Sequence, residues 1–293
     1  MQSPSNQSTV VVYDSATTSS GAPPVSVSCT PASLSVFPIG ATTVTCTATD
    51  ARQRTGACTF DVTVVAPPTI SLTRFVAFGD SMTLGEDGNA SASVGPTVVF
   101  PAAKTYPGVL QRALASRYRA QAIEVDNRGV AGERLSDADT RSRFSSLVGS
   151  GSYDAVLIME GANDVLVRDD RTIAAAIDSL RRMLGDARSR GVRPYLATIP
   201  PEVPGGFRGF AWNYVPPFNE QVRALAMSEG VDVVEVYQDL VTDTNRFIGA
   251  DGLHLTEDGN ARVADVFFQA LKGTLERLPT FAFSPTNSGF LRR

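Results

Sequence analysis

Histidine is nearly absent from this chain: His254 is the only one among 293 residues. A single imidazole excludes a multi-histidine metal centre. It does not exclude a serine–histidine relay, which needs only one ring. Cysteine is missing from everything beyond Cys58; Cys29, Cys46 and Cys58 all fall in the first fifth of the chain. This segregation points to a small stapled module ahead of a thiol-free one, and to export rather than to three reduced thiols in a cytosolic core. A basic block is missing too. The net charge is -4, without the clustered cationic face that a nucleic-acid partner requires. Apolar runs are short. Stretches such as residues 155–159 fall far below the roughly 20 residues of a membrane-spanning helix, so no integral membrane segment is expected. The residues from Met1 also lack the basic start and apolar segment of a signal peptide.

What is present is a core-forming composition. Apolar residues make up 43% of the chain, and its length accommodates two domains. Residues 1–66 are rich in Ser, Thr, Pro and Val. Val44, Cys46 and Ala48 alternate with threonines; Cys58, Phe60, Val62 and Val64 alternate with Thr59, Asp61 and Thr63. A period of two means strands with one buried face. The polar segment from Asp50 to Gly56 between them reads as a hairpin turn, and short strands with Pro/Gly turns suggest a small β-sandwich. Cys46 and Cys58 would project from one face of that hairpin, with Cys29 on an earlier strand, and three pairings are open.

The run from Phe37-Pro38-Ile39-Gly40 through Cys46-Thr47-Ala48-Thr49-Asp50 to Cys58-Thr59-Phe60-Asp61-Val62-Thr63-Val64 resembles a hyalin repeat, over residues 23–65. The resemblance implies an immunoglobulin-like extracellular module for adhesion or spacing, with carbohydrate or protein contact through residues 1–66. It implies secretion, and a Cys29–Cys46 disulfide that leaves Cys58 unpaired. The match is shorter than the full family form. Prolines 67 and 68 mark residues 67–71 as a stiff linker.

From Leu72 the pattern changes. Strands are predicted over 74–78, 123–127, 155–160, 193–199 and 231–236, several of them apolar almost throughout, as strands covered on both faces must be. Helices lie between them. Ile173, Ile177, Leu180, Leu184 and Ala187 form one apolar stripe, and Val263, Val266, Phe267, Ala270 and Leu271 another. Thr256 is placed to cap the last helix, and Pro107 suits the first turn of another. Alternating β and α elements predict an α/β domain over 72–278, a parallel sheet with helices on both sides. The tail 279–293 has no readable role.

In an open parallel sheet, ligands gather at the carboxyl ends of the strands. Gly79-Asp80-Ser81 follows the first predicted strand, Val130-Ala131-Gly132-Glu133 the second, Gly161-Ala162-Asn163-Asp164 the third, and Asp251-Gly252-Leu253-His254 the fifth, past a loop. A serine hydroxyl is a weak nucleophile until a neutral imidazole takes its proton. That imidazole needs a carboxylate to orient it, and the resulting oxyanion needs donors. Ser81, His254 and Asp251 supply the first three functions. The backbone N–H groups of Ser81 and Gly132 and the side-chain amide of Asn163 supply the donors. Each segment alone is a common turn; the constellation is the signal. Asp80, Asp164 and Asp251 are the weaker alternative of a magnesium- or calcium-type site. Asp80 and Asp164 are more naturally braces, and Arg128 and Glu133 solvated charges.

These four segments resemble the sequence blocks of the SGNH hydrolases, the GDSL esterase/lipase family, over residues 73–278. The resemblance implies a three-layer α/β/α sandwich of flavodoxin-like type with a five-stranded parallel sheet, preceded here by the small all-β module. It implies Ser81 as nucleophile, Gly132 and Asn163 completing the oxyanion hole, His254 as base and Asp251 orienting it, with no cofactor and no metal. No G-x-S-x-G elbow is found, against the ordinary α/β-hydrolase arrangement. The expected activity is that of a secreted serine ester hydrolase acting on a small ester, lipid or acetylated carbohydrate. The alternative is an adhesion protein with a non-catalytic scaffold. Two long loops, 85–103 and 200–217, are unexplained by the four blocks; the second carries Phe207, Phe210, Trp212 and Tyr214, to line a pocket or to bury its own rings.

Overall fold

The computed structural model describes residues 1–90 and 97–279. Part of the unexplained loop 85–103 and nearly all of the tail 279–293 therefore lie outside the described residues. The described residues divide into two compact units: Met1–Thr69, with Arg117–Ala120 and residues 277–279, and Ile70–Ser116 with Gln121–Glu276.

The first unit is a small antiparallel β module. Strands β1 (Thr9–Val10) and β3 (Val36–Phe37) form one ribbon, and β2 (Ser26–Thr30), β4 (Gly40–Thr49) and β5 (Thr55–Val64) form a three-stranded sheet in the order β2-β4-β5. Val11, Phe37, Val44, Cys46 and Val64, drawn from both sheets, make the core. Cys29 and Cys46 face each other across β2 and β4 and are joined by a disulfide, while Cys58, opposite Cys46 on β5, is free and exposed. The turn is shorter than the sequence suggests, since β5 already begins at Thr55. Asp50 closes it: its carboxylate accepts from the backbone N–H groups of Ala22, Arg52 and Arg54 and from the Arg54 guanidinium. The bonds from Ala22 and Arg54 hold its carboxyl pKa below the ordinary carboxylate range.

After a two-residue strand β6 (Thr69–Ile70), the second unit is built on five parallel strands: β7 (Arg74–Gly79), β8 (Glu124–Gly129), β9 (Ala155–Met159), β10 (Arg193–Ala197) and β11 (Asp232–Val234). Their order is β11-β10-β9-β7-β8. The chain thus steps from β7 to one neighbour, then crosses to build outward on the other side, and the switch point lies at the end of β7. Phe75 to Phe78 and all of β9 are buried, which explains their uninterrupted apolar sequence. Strand β8 is an edge strand and carries Asp126, Asn127 and Arg128; it runs two residues further than its apolar pattern predicts. Strand β11 is shorter than predicted, because a helical turn (α7, Val236–Leu240) begins at once.

Helices cover both faces, giving the three-layer α/β/α sandwich. Helices α3 (Ala138–Val148), α5 (Asp170–Ser189) and α6 (Val215–Glu229) pack in succession in one layer. Helix α9 (Glu257–Leu275) packs with α7 and α8 (Thr244–Phe247) in the other, where Phe267 stacks on Tyr106 of α2 (Tyr106–Arg117). The stripe of α5 is buried as its period predicts, through Ile173, Leu180, Leu184 and Ala187. Thr256 accepts from Gly259 N–H at the start of α9, with Glu257 and Asp258 in its first turn. Among the described residues no helix is long and apolar enough to cross a membrane.

Candidate active site

Register brings the functional segments to one rim. Gly79, the last residue of β7, is level with Gly129 of β8 and Met159 of β9, so the turns that follow these strands emerge side by side. Ser81 opens a single helical turn, α1 (Ser81–Leu84), whose first turn Asp80 caps by accepting from Met82 N–H at 3.0 Å. The sharp exit from strand into helix leaves the serine Oγ at the end of the sheet.

His254 reaches this hydroxyl from a distant loop. Its Nε2 lies 2.8 Å from Ser81 Oγ, and its Nδ1 lies 2.6 Å from Asp251 Oδ2. Asp251 Oδ1 accepts the backbone N–H groups of Leu253 and His254, both at 3.0 Å. Ser81, Asp251 and His254 are all buried. The bond from the ring, with those from the two amides, outweighs desolvation and holds Asp251 below the ordinary carboxylate range. It is the anion that faces the ring.

Two flanking loops clamp the Asp251–His254 turn by main-chain bonds. From one side, Asp251 N–H donates to Gly88 O (3.0 Å) and Gly88 N–H to Leu255 O (3.2 Å). From the other, Val203 N–H donates to Gly252 O and Arg208 N–H to Asp251 O, both at 2.8 Å. Gly206 permits this approach, since a Cβ there would sit 2.4 Å from the backbone of Asp251. Gly88 from one of the two long loops left unexplained by motif, and Val203 to Arg208 from the other, therefore wall the histidine turn.

Glu86 was not picked out by the sequence. It is buried, its backbone N–H donates to Ser81 O at 2.9 Å, and its Oε2 lies 3.4 Å from His254 Nε2. Arg208 Nη2 stands 3.5 Å from Glu86 Oε1. No motif spacing links these residues, so only the fold reveals them.

Gly132 and Asn163 occupy the loops on either side of Ser81. Gly132 has φ +76°, which explains the glycine; a Cβ there would meet nothing within 4 Å, so protein crowding is not the cause. Asn163, in the first turn of α4 (Ala162–Val165), donates from Nδ2 to Glu133 O at 2.9 Å. This bond ties the asparagine to the glycine-bearing loop and leaves the second amide hydrogen for a ligand. Asp164 braces the same loop, accepting from Leu135 N–H (2.8 Å) and Ser136 N–H (3.0 Å). Glu133 is not the solvated charge expected; its carboxylate is largely covered and paired with Arg143, which lies over the Phe78 ring. Arg128 pairs with Asp126 at 2.8 Å.

Beneath the rim lie buried acids. Desolvation pushes Asp80 up to about 6, against the Met82 N–H bond and the charge of His254. Desolvation and the neighbouring Asp80 push Glu160 well above the ordinary range, and neither of its carboxyl oxygens has a hydrogen-bond partner in the protein. Among the described residues, no group of three or more His, Cys, Asp or Glu is arranged to hold a metal ion. Asp80, Asp164 and Asp251 act instead as cap, brace and ring partner. Three of the four rings of the aromatic loop, Phe207, Phe210 and Trp212, are exposed, and Tyr214 is half-buried.

Comparison with known proteins bears on the family and the fold. A HYR domain model matches residues 2–64. This extends the expected hyalin-like match back by some twenty residues, consistent with β1 pairing with β3 and Val11 contributing to that unit's core. Solved structures share the fold of the second unit. A lipase/acylhydrolase from Enterococcus faecalis is 23% identical with a TM-score of 0.57, covering 72% of this chain and 100% of its own. An aryl esterase from M. smegmatis is 20% identical at TM-score 0.54, covering 69% and 99%. A carbohydrate acetylesterase from Sinorhizobium meliloti is 18% identical at 0.53, covering 69% and 99%. No curated protein matches the chain. The GDSL-like lipase/acylhydrolase family model spans residues 77–262, from the strand that precedes Ser81 to the helix beyond His254, and the chain belongs to that family.

Proposed function

We propose that the protein is a secreted serine ester hydrolase working through an acyl-enzyme, with Ser81, His254 and Asp251 as its relay. One observation carries the reading: Ser81 Oγ, the His254 ring and the Asp251 carboxylate stand in line at 2.8 and 2.6 Å, all buried at the carboxyl end of the sheet. Ser81 Oγ attacks the ester carbonyl as His254 Nε2 takes its proton. Asp251 fixes the tautomer with Nε2 free to accept, and stabilises the imidazolium. The amides of Ser81 and Gly132 and the Asn163 side chain receive the oxyanion. The proton passes from Nε2 to the departing alcohol, and water then releases the acid by the reverse path.

The substrate is a short-chain acyl or aryl ester, a lysophospholipid, or an acetylated carbohydrate. The exposed rings of Phe207, Phe210 and Trp212 sit on the loop bonded to the Asp251 turn, which favours an apolar or planar substituent. The HYR domain and the Cys29–Cys46 disulfide support an extracellular setting. The test is labelling of Ser81 by a fluorophosphonate together with hydrolysis of p-nitrophenyl acetate. Folded protein that does neither would count for an adhesion scaffold instead.

A further inference from the structure

We infer that Glu86, held by Arg208, is a positioning residue of the relay: a second carboxylate that grips the reacting nitrogen of His254. The inference rests on the ester-hydrolase reading and concerns a group outside its motif. Oε2 of Glu86 lies 3.4 Å from His254 Nε2, on the atom that takes and returns the proton, whereas Asp251 holds the opposite nitrogen. Glu86 is anchored at both ends, its own N–H bonded to Ser81 O and its Oε1 facing Arg208.

In the resting state Nε2 is a lone pair accepting from Ser81 O–H, and a carboxylate beside it accepts nothing from it. Once the proton has moved from Oγ to Nε2, the new N–H has two acceptors, the alcohol oxygen about to leave and Glu86 Oε2. Glu86 takes the hydrogen bond and not the proton, which goes on to the alcohol. Its negative charge acts where positive charge appears, in a site from which water is largely excluded. The charged groups facing His254 are then Asp251 from its own turn, Asp80 before α1, and Glu86 with Arg208 from the two clamping loops.

The experiment compares wild type, Glu86→Gln and Arg208→Ala, recording kcat and KM on p-nitrophenyl acetate from about pH 5 to 9. Glu86→Gln should lower kcat about 10- to 100-fold, the range of one charge-assisted hydrogen bond, with little change in KM. It should also move the acid limb of kcat to lower pH, because the imidazolium loses a partner. Arg208→Ala should move that limb the other way, since it leaves the Glu86 charge uncompensated. A purely structural role would lower rates without these opposed shifts. An active wild type whose acid limb is unmoved by Glu86→Gln overturns this inference alone; should that variant not fold, an unmoved limb in Arg208→Ala does so. A wild type that takes no fluorophosphonate and turns over no ester overturns the ester-hydrolase reading, and this inference with it.

Discussion

Asp251 holds His254 twice, by the ring through Oδ2 at 2.6 Å and by the backbone N–H through Oδ1 at 3.0 Å. One carboxylate therefore sets both the position of the residue and the direction of its imidazole. Asp251→Asn keeps one acceptor oxygen and turns an amide N–H₂ towards either the ring or the backbone. With the amide at the ring, Nδ1 must accept and Nε2 carries the proton, the wrong tautomer for a base. The expected loss in kcat is on the order of 10⁴, with a native circular dichroism spectrum. Steady-state kinetics on a p-nitrophenyl ester measure it, and a loss under tenfold would speak against the assigned role.

Ser81→Ala and His254→Ala should each remove turnover on the order of 10⁶ in kcat. The double variant should lose scarcely more, because the pair works as one unit. Fluorophosphonate labelling should vanish in Ser81→Ala, whose small, buried change leaves the core intact. Retained labelling would place the nucleophile elsewhere.

Asn163→Ala should cost about 10²–10³ in kcat by removing one oxyanion donor. It also deletes the bond to Glu133 O, so the loop carrying Gly132 loses a tether. A rise in KM alone, with kcat preserved, would reassign the residue to ground-state binding.

Glu202 gives a pH signature in stability. It is buried, one oxygen accepts from Ala211 N–H at 2.8 Å, and the other has no partner. Desolvation pushes it from the ordinary 4.5 up to about 7. Between those values the folded state holds a proton that the unfolded chain releases, so stability is full below 4.5 and declines as pH rises towards 7. Glu202→Gln mimics the protonated acid at every pH. It should leave stability unchanged at low pH and raise it by about 1–2 kcal/mol in mild alkali. Chemical denaturation at the two pH values tests this; an equal effect at both would disprove the buried-acid account.

Much of the fold was legible because burial writes itself into local sequence. The run over β9 is apolar on both faces, and the α5 stripe repeats at helical spacing. The proposed relay was legible because its members sit in short segments, Ser81 just past β7 and Asp251 with His254 in one turn beyond α8. Strand β8 was harder to read: an edge strand has one side open and carries Asp126 and Arg128 like a loop. Glu86 and Arg208 left no trace at all. They sit in irregular loops without periodicity, and their meeting over Nε2 is purely tertiary. The glycine at position 132 has a reason that no motif spells out, a backbone φ of +76° that side-chain-bearing residues rarely adopt.

The contacts by which residues 200–217 embrace the histidine turn run between peptide groups, Val203 to Gly252 and Arg208 to Asp251. Peptide groups are common to nearly all residues, so the identities of Phe210 and Trp212 are uncoupled from the posture of the His254 turn, whereas the Phe207 ring lies under the Arg208 guanidinium. In the proposed enzyme, Phe210 and Trp212 form a natural library for redirecting selectivity: those two rings can be exchanged while the Asp251–His254 turn keeps its main-chain supports.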